Sequence, residues 1–299
     1  MKKLHKALTA ACAILAGVGM IQSPAIAFSL NSSNPLKLMP LGDSNTRGKG
    51  SDRAGYRDDL WELFNENDYA VDFVGSERRN PPDDWDKPYA FDRNHEGHGG
   101  YAIEGATYEP DYQLLPNVSD WVSAANPDAI AFMAGTNDFI FQETTAEETR
   151  NEMGRLLDEI YNASPDTSVF VSALPPLEYK WAKSADEVED FNNLIPELVA
   201  QKREGGKNIN FVDTRDLWSN DDLSDGVHLT EEGYNKLALA WYDSMVAAGD
   251  SNSTDTEAIA DGNHADDGAV SVPEPTATFS LFGVGLFGMG MLRKRKREA

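Results

Sequence analysis

The sequence predicts an α/β domain built on a five-stranded parallel sheet with helices over both faces. Three observations predict it. Short β-branched or aromatic runs, bounded by Gly, Pro, Asn or Asp, recur along the chain. Stretches with helical signals lie between them. The interval they share, residues 28–248, is about 220 residues, a length suited to one α/β domain. Strand–helix alternation of this kind gives a parallel sheet, because each crossover lays a helix on one face or the other.

The expected strands are LKLMP (36–40), VDFVG (71–75), AIAFMAG (129–135), SVFVSAL (168–174) and INFVD (209–213). The expected helices lie near 55–68, 146–163, 186–203 and 231–247. The second opens on Thr145 with Glu148 three residues on, a capping box, and carries Leu156, Leu157 and Ile160 as an apolar stripe. The last has the cap, Thr230, but Gly233 where the acid would stand. The segment 76–128 has no clear strand and is rich in Pro, Asp and Gly. A connection of that length implies a functional loop.

The ends differ from this pattern. Residues 1–27 carry Lys2, Lys3 and Lys6, an apolar stretch Ala7–Ile21 and the small-residue site Ala25-Ile26-Ala27, the pattern of a secretory signal peptide. The single cysteine, Cys12, leaves with it, so the mature chain has no disulfide and its stability rests on core packing. Residues 249–272 are acidic and small, with too little apolar surface to offset chain entropy, and are expected to be a disordered linker. Residues 273–299 run Pro273-Glu274-Pro275, then apolar Phe279–Leu292, then Arg293–Arg297. The apolar run is short for a bilayer span. The whole chain carries a net charge of −24. Such a surface repels nucleic acid and excludes it as a partner.

In sheets of this type the ligand crevice lies beyond the carboxyl ends of strands where strand order reverses. The loops after the first and third expected strands, GDSNTRG and GTNDF, are therefore the places to look. The first is not a phosphate loop. Five residues separate Gly42 from Gly48 where four are needed, and Lys49 is followed by Gly50 rather than Ser or Thr. It is either a turn or the seat of a nucleophile, Ser44. A serine needs a base and a cradle for the oxyanion. His228 in LSDGVHLTEEGY, three residues after Asp225, supplies a base with an acid to orient it, although DGVH alone equally describes an exposed loop histidine. Asn137 offers an amide and also fits a helix cap. Gly100 in HEGHGGYAIEGA offers an N–H that no Cβ blocks, and also fits a flexible loop. The α/β-hydrolase pattern Gly-x-Ser-x-Gly is absent.

Taken together, these blocks resemble the SGNH hydrolase (GDSL esterase/lipase) superfamily over residues 36–247. GDSNT implies Ser44 as nucleophile and first oxyanion donor. HEGHGGYAI implies Gly100, GTND implies Asn137, and DGVH implies the Asp225–His228 pair. The resemblance implies a three-layer α/β/α sandwich of flavodoxin-like type. LMPLGDSNTRG, GYRDDLWELF, VDFVGS and HEGHGGYAI further resemble the carbohydrate esterase branch that includes acetylxylan esterases. Two positions depart from that branch, Asn45 where Ile or Val is common and Gly99 where Ser is common. Both are expected to border the pocket and to bear on acyl and alcohol preference. The last 27 residues resemble the PEP-CTERM sorting signal, which implies an exosortase partner, transient membrane contact, removal of the tail and delivery to the surface or extracellular polymer of a Gram-negative-type bacterium; a simple C-terminal membrane anchor is the alternative.

The expected function is a secreted or surface serine esterase acting on O-acyl, above all O-acetyl, groups of polysaccharide or on small esters, without metal or cofactor. A lipase or lysophospholipase is the alternative, and a non-catalytic polysaccharide-binding module a further one. Trp85, Tyr89, Phe91 and Tyr101 are candidates for stacking on sugar rings and equally for loop anchors. Asp83, Asp84, Asp86 and Asp92 lack the spaced ligands of a calcium loop and are expected to form a solvated acidic loop.

Overall fold

The computed structural model describes residues 30, 34–51, 54–78, 91–178 and 185–260. The expected leader, the tail beyond Ala260, and Asp83, Asp84, Trp85, Asp86 and Tyr89 lie outside the described residues.

The strands are β1 (Leu36–Gly42), β2 (Val71–Phe73), β3 (Glu96–Gly97), β4 (Ala129–Met133), β5 (Ser168–Ser172) and β6 (Ile209–Val212). Their order is β2-β1-β4-β5-β6, and every pairing is parallel. β1 is the pivot. Its first half pairs with β2 (Leu38 opposite Phe73), its carboxyl end with β3 (Leu41 opposite Glu96), and its other edge with β4 (Leu38 opposite Ala129). From β1 the chain steps to one side to reach β2 and β3, then crosses to the opposite side for β4. Strand order reverses at β1/β4, and the crevice beyond their carboxyl ends is where a ligand site forms.

Helices α1 (Ser44–Arg47), α2 (Arg57–Glu66), α3 (Val118–Ala125), α4 (Thr136–Phe141), α5 (Ala146–Ala163), α6 (Ala185–Glu204) and α7 (Glu231–Ala260) complete the described chain. α2 packs on α7, while α3 and α6 pack on α5, so the sheet lies between two helical layers. α5 shows why its sequence is helical. Thr145 accepts from the Glu148 N–H and the Glu148 side chain takes the Thr145 N–H, closing the capping box. Met153, Leu156, Leu157, Ile160 and Tyr161 recur at helical spacing and are all buried. Each large side chain so buried stabilises by about 1.5–3 kcal/mol relative to exposure.

Four features differ from the sequence expectation. The sheet carries a sixth member, the two-residue β3, too short to leave an alternating pattern. α3 lies inside the segment expected to be without regular structure. The two candidate site loops open directly into short helices, α1 and α4. α7 continues past Gly249 to Ala260, into the stretch expected to be linker. That stretch contains no proline, and extending a helix already nucleated is far easier than starting one.

Candidate active site

Four chain segments meet beyond the carboxyl ends of β1 and β4. Ser44 opens α1. Asp43 caps that helix by accepting the Asn45 N–H at 2.9 Å. Burial of Asp43 raises its carboxyl pKa to about 6, against the lowering pull of the Asn45 N–H. Gly42 permits the tight exit from β1, since a Cβ there would stand 2.1 Å from the Met133 carbonyl oxygen. The buried Arg57 closes the far end of α1: Nε donates to the Thr46 carbonyl at 3.1 Å and Nη2 to that of Arg47 at 3.3 Å. The nucleophile candidate is thus held at both ends of a one-turn helix.

Ser44 Oγ lies 2.9 Å from His228 Nε2, 184 residues away in sequence. On the other side of the ring, Nδ1 faces Asp225 Oδ1 at 3.0 Å and Oδ2 at 2.9 Å. Asp225 Oδ1 also accepts the N–H of Val227 at 3.0 Å and of His228 at 2.9 Å. Burial pushes the Asp225 pKa up, but these N–H groups and the imidazole together hold it below the ordinary carboxylate value. Burial pushes the His228 pKa down, Asp225 pulls it up, Lys49 pushes it down again, and the net shift is downward. The downward shift favours the neutral imidazole, and the Asp225 carboxylate favours the tautomer with Nδ1–H toward it and the Nε2 lone pair toward Ser44.

Gly100 and Asn137 line the same cleft. Gly100 has φ +86°, a conformation that calls for glycine, and its Cα faces the Tyr108 hydroxyl. Among the described residues, the backbone N–H groups of Ser44 and Gly100 donate to no protein acceptor. Asn137 Nδ2 donates one hydrogen to the Tyr101 carbonyl at 2.8 Å, which fixes the amide and leaves its second hydrogen for the cleft. Asp138 ties α4 to the Gly100 segment, for both carboxyl oxygens accept the Ile103 N–H at 3.0 Å. Beneath that segment, buried Glu96 accepts from Ser76 and sits 2.6 Å from His98 Nε2, while His98 stacks on Trp121.

The cleft has a volume of about 590 Å³. Its remaining walls were not singled out from the sequence: Arg47 and Lys49 beside Ser44, and Tyr108, Ile140 and Phe141 opposite. Ile140 and Phe141 follow Asn137 at helical spacing on α4, a signal the sequence did contain. Tyr108 had none. Of the sugar-stacking candidates within the described residues, Phe91 is buried, and Tyr101 stacks on Tyr112 at 4.8 Å and does not line the cleft. The exposed aromatics at the cleft are Tyr108 and Phe141, in edge contact at 5.3 Å. Gly99 lines the pocket, as expected of it; Asn45 does not, being buried on the inner side of α1. Asp92 accepts the N–H of Phe73 and of Asn94, each at 3.1 Å, and anchors β2.

This arrangement makes the pH dependence of turnover a direct check. If His228 must be neutral to take a proton, kcat/KM falls as pH drops through its free-enzyme pKa. Because that pKa is lowered, the acid limb for an acetyl ester is expected to have its midpoint below 6.5, the ordinary imidazole value. A midpoint above 7 in a pH–rate profile would contradict the arrangement.

Comparison with known proteins bears on the same segments. A family model described as GDSL-like lipase/acylhydrolase matches residues 38–241, and the PEP-CTERM protein-sorting motif matches 271–296. A solved family 3 carbohydrate esterase from Clostridium thermocellum superposes with a TM-score of 0.61 at 30% identity, over 73% of this chain and 98% of that one. One from Talaromyces cellulolyticus gives 0.60 at 25% identity, over 72% and 99%. A multidomain esterase of Ruminococcus flavefaciens is 28% identical over 227 residues, 72% of this chain. The chain spans only part of its curated relatives: 29% of that esterase, and 55% of a second relative, from Acetivibrio thermocellus.

Proposed function

We propose that this chain, which belongs to the GDSL-like lipase/acylhydrolase family, is a carboxylic ester hydrolase that removes O-acyl groups, O-acetyl above all, from carbohydrate by a Ser44–His228–Asp225 mechanism. One observation carries this reading: a serine hydroxyl 2.9 Å from a buried imidazole whose other ring nitrogen faces Asp225, inside a cleft that also holds Gly100 and Asn137.

Ser44 Oγ attacks the acyl carbon as its proton passes to His228 Nε2. The carbonyl electron pair moves onto oxygen, which the N–H groups of Ser44 and Gly100 and the Asn137 amide receive. Asp225 stabilises the imidazolium. Collapse of the intermediate breaks the ester C–O bond, and the departing alkoxide takes the proton from Nε2. Water then enters, gives its proton to Nε2 and attacks the acyl-enzyme; collapse breaks the acyl–Oγ bond, Ser44 Oγ takes the proton back from Nε2, and the carboxylic acid leaves.

For the substrate, two supports agree. Two of the similar solved structures are family 3 carbohydrate esterases. The cleft walls mix Arg47 and Lys49 with the exposed rings of Tyr108 and Phe141, which suits a hydroxylated ring better than a long acyl chain. Residues 28–248 are the proposed hydrolase region. The PEP-CTERM motif implies export, a cell-surface destination and an exosortase partner. Tail removal and residence in extracellular polymer extend that reading.

The test is a substrate panel. The purified protein is expected to release acetate from acetylated xylan and to turn over p-nitrophenyl acetate at least about tenfold faster in kcat/KM than a long-chain p-nitrophenyl ester, the scale a few unaccommodated methylenes produce. A preference for the long chain would move the assignment to a lipase. Binding of xylan without turnover of any ester would make the domain a binding module.

A further inference from the structure

We propose that Arg47 and Lys49 form an anion subsite beside Ser44, and that the preferred substrate is an acyl ester of an acidic sugar whose carboxylate these two cations receive. This deepens the hydrolytic reading above and rests on it. The charge of the cleft carries the proposal. The whole chain has a net charge of −24, yet the cleft walls hold Arg47 and Lys49 against a single carboxylate, Asp225. That carboxylate faces the His228 imidazole and accepts the N–H groups of Val227 and His228. The charge left to meet a ligand is positive.

Both cations stand on a fixed backbone. The Arg47 carbonyl accepts from the buried Arg57 at 3.3 Å. The Lys49 N–H donates to the Ser44 carbonyl at 3.0 Å, and the Lys49 carbonyl accepts the Tyr234 hydroxyl at 2.7 Å. Lys49 is exposed, and among the described residues no carboxylate pairs with its ammonium. Arg47 is half-buried and passes over Gly99. A Cβ at Gly99 would stand 3.0 Å from Arg47 Nη1 and 3.8 Å from Ser44 Cβ. One point thus borders both the guanidinium and the nucleophile's residue, which sets the charge within a sugar ring's reach of the reacting ester. A serine at 99, common in the carbohydrate esterase branch, would crowd the guanidinium; glycine leaves it room.

A sugar carboxylate suits this pair. The guanidinium is planar and takes a carboxylate through two parallel N–H donors, while the ammonium adds charge without direction. The exposed rings of Tyr108 and Phe141 on the opposite wall give the sugar an apolar face to lie against. The oxyanion does not call for these cations, since the proposed mechanism already gives it the N–H groups of Ser44 and Gly100 and the Asn137 amide. The net negative charge of the chain repels a polyanion at long range, so the attraction acts at contact range and selects the sugar that carries the ester.

The experiment gives the full chain an acetylated methyl glucuronoside and its uronamide, the same ring with the carboxylate made neutral. Acetate release from the acid should exceed that from the amide by about tenfold in kcat/KM, the scale that a hydrogen bond to a charged group contributes. The acid-to-amide ratio is the readout, because an effect of a substitution on folding or on the His228 pKa falls on both substrates alike. Lys49→Gln and Arg47→Gln should each lower the ratio, and the double variant should bring it to within about threefold of unity, the residue that weak exposed charges leave. Lys49→Glu should turn the preference toward the amide. A ratio near unity in the unsubstituted protein, or one that survives both glutamines, would overturn the proposal. So would faster turnover of a lysophospholipid than of either sugar, which would assign the cations to a phosphate headgroup. Titrating the same pair into Ser44→Ala separates the two readings. Tighter binding of the acid, with no Ser44-dependent turnover in the unsubstituted protein, would count against hydrolysis and keep the subsite; equal binding of acid and amide would remove the subsite whatever the turnover.

Discussion

Ser44→Ala should lower kcat for acetyl ester hydrolysis by roughly 10⁵–10⁶-fold, the loss seen when a serine acting as a unit with its base is removed. The fold should hardly notice. The change deletes one hydroxyl and its 2.9 Å contact with His228, while α1 keeps its Asp43 cap and its Arg57 clamp. The Ser44 N–H survives as an alanine N–H, so the oxyanion cradle remains and carbohydrate affinity should stay within a few-fold of the starting protein. A serine-directed phosphonate should label the native protein and not the variant. Thermal melts check the fold, stopped assays the rate, and mass spectrometry the label. Retention of more than about 1% of kcat would remove Ser44 from the chemistry, since losses at such a residue are far larger than that.

The sequence carried the architecture and left the detail of the site unread, and particular residues show why. α5 was legible to its end residues because a capping box and a full apolar stripe both point to helix. α3 was missed although Val118, Trp121, Val122 and Ala125 stand at helical spacing, since the surrounding Pro, Asp and Gly outweigh two turns of signal. β3 has two residues and no period to detect. Asn45, expected at the pocket border, is buried away from it. On a helix, neighbours point about 100° apart, so a residue next to the nucleophile can face the opposite way. Tyr108 reaches the cleft through a loop path that no local pattern encodes, and the fit of its hydroxyl against Gly100 exists only in three dimensions.

Asp225→Asn should cost about 10⁴-fold in kcat, for a reason the backbone dictates. Asp225 Oδ1 accepts the Val227 and His228 N–H groups. An asparagine would keep its carbonyl oxygen there, because turning it over would aim an NH₂ at two N–H donors. The NH₂ is then left facing His228 Nδ1, where Oδ2 now stands at 2.9 Å. An amide donor at that place selects the tautomer with the proton on Nε2, pointing at the Ser44 hydroxyl, and the base is lost although every heavy atom stays in position. The acid limb of the residual activity should also move to lower pH, because the carboxylate that raises the His228 pKa is gone while burial still lowers it. Combining the change with Ser44→Ala separates this account from general damage. If Asp225 acts only through His228 and Ser44, the double variant should be no slower than Ser44→Ala alone, since residues that act as one unit lose their effect together. Losses that multiply instead would mean that Asp225 serves the fold or the substrate independently of the serine.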